Sequence, residues 1–348
     1  PQPSTQDEAA VIDQLIRASL TLPIPDGFTG SGAIIVDPKD NRRGPFSFGL
    51  SLPYHSAYQT DFFNQASEAI QRASLCGSCH NVYNPVLSWD ESQDPDQFWP
   101  NQMDSIAPEF DSEALFPIET TFDEWLYSDF ARSGVYAPQF AGEMQDGIVR
   151  ACQDCHMKRT TGIAADVAFN PVERDCQTTG CLPVHEFVGG NTWVPGLLKD
   201  PLWRLQVTGQ DAQLDATMQS AANMLRKAAT LTVTLEGDSG KKTATVRVTN
   251  HSGHKLPTGY PEGRQMWIHL QAFDEDNNLV YESGAYDFQT GVLDRRNAKI
   301  YEVKQGITPE LAEILPQDAG ESFHFVLNNT TIKDNRIPPK GYSQTLYD

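Results

Sequence analysis

Cations are scarce in this sequence. Lys and Arg total 26 against 46 Asp and Glu, a formal net charge of −20. A surface of that sign lacks the clustered positive charge that phosphate backbones and anionic membranes require, so nucleic-acid and acidic-lipid binding are excluded as leading functions. Long apolar runs are missing as well. No stretch approaches the roughly 20 residues needed to cross a bilayer, so no transmembrane segment is expected. No charged-then-apolar leader is present, and Pro1-Gln2-Pro3-Ser4 reads as the start of a processed chain. No internal repeat and no low-complexity tract stands out. Cysteine is sparing at six residues, and regular periodicity is weak over the first 200 positions.

What is present is the composition of a globular protein, 39% hydrophobic and 21% charged. A length of 348 residues is more than one ordinary core accommodates, so two domains are expected. Residues 7–20 carry an amphipathic helical pattern, with Ala10, Ile12, Leu15, Ile16 and Leu20 near the helical period. Residues 21–54 read as Pro- and Gly-rich loop, residues 59–75 as a helix, and residues 84–120 as an irregular polar excursion. Thr121-Phe-Asp-Glu-Trp125 predicts a helix start, with Thr120 or Thr121 as cap and Glu124 near a capping-box position. Residues 134–146 and 157–208 are again irregular.

From residue 209 the pattern sharpens. Leu214, Met218, Ala221, Leu225 and Ala228 predict one helix over 209–228. Period-two segments follow at Leu231–Leu235, Ala244–Thr249, Trp267–Phe273, Leu279–Tyr281 and Phe323–Leu327, with turn-type connections at Glu236–Gly240 and Asp274–Asn278. The Asp274–Asn278 run is read as a polar hairpin turn in preference to a calcium loop. Several short antiparallel strands at this spacing predict a β-sandwich. The fold class expected is α+β: an irregular, partly helical domain over 1–208, a connecting helix over 209–228, and an antiparallel β-sandwich over 229–348. A last strand at Thr345-Leu-Tyr347 suggests a natural chain continuing past Asp348.

Four of the six cysteines fall in two strings, Cys76-Gly-Ser-Cys79-His80 and Cys152-Gln-Asp-Cys155-His156. C-x-x-C-H has a specific chemistry: the two sulfurs add across the two vinyl groups of haem, and the adjacent histidine falls under the iron as an axial ligand. Two copies make chance a poor explanation. A thioredoxin-type C-x-x-C would not recur with His after each pair, and a Cys₄ zinc site would leave both histidines unexplained. Two covalently bound haem c groups are therefore expected, held by Cys76, Cys79, Cys152 and Cys155, with His80 and His156 on iron. Porphyrins would also supply the core that the weakly periodic first 200 residues lack. Cys176 and Cys181, a C-x₄-C followed by Leu182, are expected to form a small-loop disulfide. Haem attachment and a disulfide both point to the periplasm or cell exterior.

Six histidines remain for the distal positions: His55, His185, His251, His254, His269 and His324. His269 and His324 lie in strand patterns and read as sheet residues, and one of His251 and His254 as a turn residue. Met157 adjoins a proximal histidine, so it cannot reach the opposite haem face. The order Leu75-Cys-Gly-Ser-Cys-His-Asn81, Thr121-Phe-Asp-Glu-Trp125, Cys152-Gln-Asp-Cys-His-Met157 resembles the multihaem cytochrome c family related to the cytochrome c554 group. His185-Glu-Phe-Val-Gly-Gly-Asn191 resembles its H-x-F-x-G-G-N segment, whose histidine is usually a distal ligand. Asn250-His-Ser-Gly-His-Lys-Leu-Pro-Thr-Gly259, with Arg264 and Trp267, resembles the segment opening its β-domain, and Asp334-Asn-Arg-Ile-Pro-Pro-Lys-Gly341 also recurs there. The likeness covers about residues 55–348, although many relatives carry more than two attachment motifs. It implies His185 first, then His55 and His254, as distal ligands; three candidates compete for two positions. For His254, the adjacent Gly253 would permit close backbone approach to a porphyrin.

The leading expectation is electron transfer through two bis-histidine, low-spin haems, with no substrate site and no enzymatic activity. The acidic surface suits a basic redox partner. One alternative is a dihaem peroxidase or small-molecule reductase with one five-coordinate haem, Arg264, Glu262 or Tyr260 standing over it. Another is a subunit of a larger cytochrome assembly or filament.

Overall fold

A computed structural model of the chain describes residues 30–32, 42–43, 58–59, 68–89, 98–100, 115–163, 173–178, 181–200, 202, 209–238, 240–260 and 263–347. The expected helix over 7–20 lies outside them, as do His55 and Glu262. The described residues form a mixed α and β structure, mostly short strands with few helices. None of its helices is long and apolar enough to cross a membrane.

Helix α1 (Glu68–Gly77) ends inside the first C-x-x-C-H string. Of the expected helix over 59–75, residues 60–67 lie outside the described residues; Gln59 sits in a two-residue parallel ladder of Tyr58–Gln59 with Arg42–Arg43. The stretch expected to be irregular contains a sheet. Strand β1 (Val82–Trp89) pairs antiparallel with β3 (Leu115–Glu119) along its first half and with β2 (Phe98–Pro100) along its second. The register shifts between Asn84 and Ser88, which takes Pro85, a residue without an N–H, out of the ladder. Local alternation is lost there, and distant residues supply the order: Asn84 Nδ2 donates to Val326 O at 2.7 Å and Asn329 Nδ2 to Phe98 O at 3.0 Å.

Helix α2 (Thr121–Leu126) and helix α3 (Asp129–Arg132) follow. Thr120 is the N-cap of α2, but its side chain makes no capping bond. Ser128 caps α3 instead, accepting from Phe130 N at 3.2 Å and donating to Trp125 O at 2.6 Å. Phe122, Trp125 and Phe130 bury themselves with Ala73, Val135, Ala137, Phe140, Ala141, Val149 and Ala151 in one apolar cluster. Cys152 and Cys155, on the short helix α4 (Cys152–His156), pack against it. The core therefore sits directly under the second C-x-x-C-H string.

Helix α5 (Val194–Leu197) lies against the long helix α6 (Asp211–Ala228), whose observed bounds match the expected 209–228 closely. Strands β4 (Ala229–Gly237) and β5 (Lys242–Asn250) then form a nine-pair antiparallel hairpin. The single strand expected over Trp267–Phe273 is two, β6 (Gln265–Trp267) and β7 (Leu270–Phe273), with the chain changing partners at Ile268 and His269. Strand β7 makes a hairpin with β8 (Leu279–Ser283). Its turn is the polar one expected: Asp274 accepts from Asp276 N and Asn278 N, and Asn277 takes φ 64°. Strand β6 pairs with β9 (Ile300–Ile307), which also carries β10 (Gly320–Glu321) and β11 (Thr330–Asp334).

Two sequence expectations fail in this half. Phe323–Leu327 alternates like a strand but forms a turn, in which Leu327 N and Asn328 N both donate to His324 O. Thr345-Leu-Tyr347 belongs to a short helix, α7 (Gln344–Tyr347), and not to a last strand. Both runs are apolar enough for a strand, yet neither has a partner edge among the described residues.

Buried polar contacts cross between the halves. Gly253 lies where an added Cβ would sit 3.2 Å from Trp125, so the absence of a side chain there serves packing against the apolar cluster. Gly341 has φ 68°, and a Cβ on it would collide with the Asp129 carboxylate, while Asp129 N donates to Lys340 O at 3.0 Å.

Candidate haem site

The first string closes as a turn at the end of α1: Cys79 N and His80 N both donate to Cys76 O, at 3.1 and 2.8 Å, and Ser78 Oγ donates to Leu75 O at 2.7 Å. His80 O accepts from Phe122 N at 2.9 Å, so the string is bonded directly to the start of α2. The second string is helical, and Asp154 within it is buried. One oxygen of its carboxylate accepts from Arg150 N and Ala151 N, both at 3.0 Å, which satisfies orphan donors at the helix start. The other pairs with Arg72 at 3.1 Å and Arg159 at 3.0 Å. Burial alone would raise its pKa; the two guanidiniums and the backbone donors outweigh it and hold the carboxyl below its ordinary range. Arg72 lies on α1, so Asp154 ties the two strings together.

The strings also meet at their first cysteines. The Cys152 thiol is hydrogen-bonded to Cys76, a contact that lowers the pKa of Cys76 and raises that of Cys152. Burial pushes Cys155 up to about 12. None of the four cysteines forms a disulfide, and Cys79 is exposed. Among the described residues no group of three or more His, Cys, Asp or Glu side chains is gathered to hold a metal ion. Cys176 and Cys181 are joined as a disulfide.

Of the distal candidates, the structure brings His254 to His156. Their rings lie nearly parallel, 19° apart, with centroids 6.2 Å from each other. His156 Nδ1 is 2.5 Å from Val188 O, and His254 Nδ1 is 3.1 Å from Lys255 O. A carbonyl can only accept, so in both rings Nδ1 carries the proton and Nε2 keeps its lone pair. That tautomer is the one that binds a metal through Nε2, with the carbonyl as its orienting partner. Burial lowers the pKa of both imidazoles first of all; the facing His254 adds to the effect at His156, and Arg336 adds to it at His254. Both are neutral at pH 7, as ligands must be. Metal–imidazole bonds of about 2 Å on each side, with ring centres about 1 Å behind each nitrogen, place two axial rings about 6 Å apart. The observed centroid separation is of that size.

His185 is exposed and stacks on Phe187 at 5.9 Å. The segment leading from it bonds to His156 on the Nδ1 side, through Val188 O, and Val188 N donates to His156 O at 3.0 Å. His80 is exposed. The remaining histidines are engaged elsewhere. His251 Nε2 meets Thr230 Oγ1 at 3.0 Å, His269 pairs with Glu282 at 2.8 Å across the break between β6 and β7, and His324 is an exposed turn residue instead of the strand residue expected. Of the acid–base candidates, Arg264 donates to Thr258 O at 2.9 Å and Tyr260 is exposed near Phe325.

The segment that follows His185 exposes large apolar side chains. Phe187 is 67% exposed and Trp193 68%. Asn191 Oδ1 accepts from Trp193 N and Val194 N at 3.1 and 2.9 Å, which fixes that turn. Ordered apolar side chains without cover are what a bound porphyrin face would bury.

Sequence reasoning missed the residues that hold His254. Glu124 was read as a capping-box partner; it points inward and is 0% exposed. Its carboxylate accepts from Lys255 N at 3.0 Å, Thr258 Oγ1 at 2.6 Å and Arg336 Nη1 at 2.7 Å. Arg336 and Lys255 both pair with Asp334. The Asp334–Gly341 string is thus the strap that closes this network. Burial alone would raise the Asp334 pKa, but Arg336 and Lys255 hold it at about 2. Its ion pairs stabilise fully above the ordinary value of 3.8 and are lost as pH falls towards about 2. Asp334→Asn is therefore expected to cost about 2 kcal/mol at pH 7 and to flatten the fall in stability between pH 4 and 2, read by denaturant melts across that range.

No protein-family model matches the chain, and no curated protein matches it. Among solved structures, the crystal structure of a penta-heme cytochrome c552 from Thermochromatium tepidum aligns with 86% of this chain and 54% of its own, at 16% identity and a TM-score of 0.40. The chain thus spans about half of that cytochrome's length. Likeness at this level does not transfer chemistry from one chain to the other.

Proposed function

We propose that this chain is an exported dihaem c-type cytochrome that transfers electrons, and that its second haem is bound by His156 and His254. The observation that carries the reading is the pair of half-buried, nearly parallel imidazoles 6.2 Å apart, one of them ending a C-x-x-C-H string. In this reading Cys152 and Cys155 hold the second haem and Cys76, Cys79 and His80 the first. His185 or His55 completes the first, because His254 is taken. Haem supplies one-electron chemistry at a potential set by its axial ligands. The chain's own residues fix ring orientation, keep the imidazoles neutral and exclude water from the buried side. Two filled axial positions leave no place for a substrate.

The β-rich residues 229–348 read as a sandwich domain that contributes to the haem site through the His254 loop. Covalent haem attachment and the Cys176–Cys181 disulfide both favour the periplasm or cell exterior. The acidic surface favours a basic redox partner. Membership of a larger cytochrome assembly is favoured by one feature: the β4–β5 hairpin exposes Leu231, Val233 and Leu235 along one strand.

The test is the ferric electron paramagnetic resonance spectrum of the haem-loaded protein. Two low-spin haems are expected. A dominant high-spin signal, with rapid cyanide binding, would support a peroxidase or reductase instead.

A further inference from the structure

Helix α2 is bonded to three things at once. Phe122 N donates to His80 O at 2.9 Å. Trp125 Nε1 donates to Arg150 O at 2.7 Å, two residues before Cys152. Glu124 receives the His254 loop. One short helix therefore relates both attachment strings to the loop carrying the proposed distal ligand.

We infer that Glu124 is the positioning residue for His254, setting the sixth ligand of the second haem through the peptide bond between His254 and Lys255. The inference rests on the His156–His254 reading above. Both polar atoms of that peptide are held. Its carbonyl, His254 O, accepts from Asn250 Nδ2 at 2.7 Å and Ser252 Oγ at 2.9 Å. Its N–H, on Lys255, donates to Glu124 Oε2 at 3.0 Å. The plane of this peptide fixes the direction in which the His254 side chain leaves the backbone. Asn250 and Ser252 belong to the same loop, so they shape it without locating it. Glu124 lies 131 residues away on the helix that is hydrogen-bonded to the first string at His80 O and beside the second at Arg150 O, and it locates the loop.

The carboxylate is suited to this task by its saturation. Three donors converge on a side chain with no exposure to water. A buried carboxylate held in that way cannot rotate without leaving donors unsatisfied. Thr258 adds a second grip on the loop, since its Oγ1 also contacts Thr121 Oγ1 at 2.7 Å. Leu256 exchanges both backbone hydrogen bonds with Ile337, each at 2.9 Å, and this clamps the loop from the outside. Glu124 is the one member of the clamp that reaches the peptide bearing the ligand from α2.

The experiment measures carbon monoxide binding to the reduced, haem-loaded protein, by stoichiometry and rate, in four proteins. The unaltered protein is expected to bind none within a mixing experiment. His254→Ala is expected to bind one equivalent per chain. Glu124→Ala is expected to bind one equivalent as well, the first haem remaining closed. Glu124→Gln, which keeps an acceptor oxygen for Lys255 N but turns an amide towards Arg336, is expected to bind one equivalent roughly tenfold more slowly, a difference on the scale of one hydrogen bond. If Glu124→Ala fails to load haem, Glu124→Gln decides alone.

The inference is overturned if the Glu124 variants stay as inert as the unaltered protein while His254→Ala binds carbon monoxide. It is also overturned if they open both haems, since that is loss of structure and not of one ligand. If His254→Ala itself binds none, the ligand reading falls, and the inference with it.

Discussion

Replacing Cys152 and Cys155 together with serine is expected to give a protein carrying one covalent haem in place of two, and to lower its stability by about 5 kcal/mol or more. The first effect follows from the attachment chemistry, which needs a thiol at both positions. The second follows from position. Both cysteines pack against the apolar cluster of Phe122, Trp125, Phe130 and Phe140, while Phe187, next to the Val188 that bonds His156, is exposed. A porphyrin that covers roughly 200 Å² of apolar side chain contributes about 5 kcal/mol. The same double change at Cys76 and Cys79 is expected to cost less, because Cys79 is exposed. Absorbance of the pyridine haemochrome per chain and denaturant melts read both effects. Equal losses at the two strings would contradict the placement of the second haem over the core.

Asp154→Ala carries the other large effect, an expected loss of about 3–5 kcal/mol. The substitution leaves two guanidiniums, of Arg72 and Arg159, with side chains 14% and 10% exposed and their shared carboxylate gone. It also removes the acceptor for the amides of Arg150 and Ala151. Asp154→Asn is expected to cost less, since an amide oxygen still accepts from the backbone. Because the Asp154 pKa is held below its ordinary range, its stabilising effect is complete above that range and fades as pH falls through the lowered value. Chemical denaturation at pH 7 of the two variants against the unaltered protein measures the difference. A loss under 1 kcal/mol in Asp154→Ala would mean that the strings are not coupled through this residue.

Legibility in the sequence followed the range of the interactions. The helix over 209–228 and the β4–β5 hairpin were readable because their order is local: a 3.6-residue period in one, period two with a turn between in the other. The attachment strings were readable because chemistry needs those residue types at adjacent positions. The β1–β3 sheet was not, since its register breaks at Pro85 and its order depends on Asn84 reaching Val326 and Asn329 reaching Phe98. Phe323–Leu327 misled because alternation records apolar residues, not the partner edge that a strand needs. The site divides in the same way. His156 is announced by its cysteines. His254 stood as one of three candidates, and its pairing emerges only from the fold.

Glu124 shows the limit most clearly. Three residues into a helix, with a Thr before it, a glutamate has the spacing of a capping box. Nothing nearby says that it turns inward, because the donors that draw it, on Lys255, Thr258 and Arg336, lie between 131 and 212 positions away. Asp154 could have been found: an acid in the first turn of a short helix is a cap by position. Its second role, joining Arg72 to Arg159, is again a matter of tertiary structure.

The central claim is that two haems are covalently attached to this chain. Intact-mass spectrometry of the expressed protein, denatured in acid so that any non-covalent group is lost, tests it most directly. The account predicts the mass of the polypeptide plus two haems, falling to one haem in the Cys152/Cys155 double variant. A protein expressed with a functioning haem-attachment system that retains the bare polypeptide mass would contradict it.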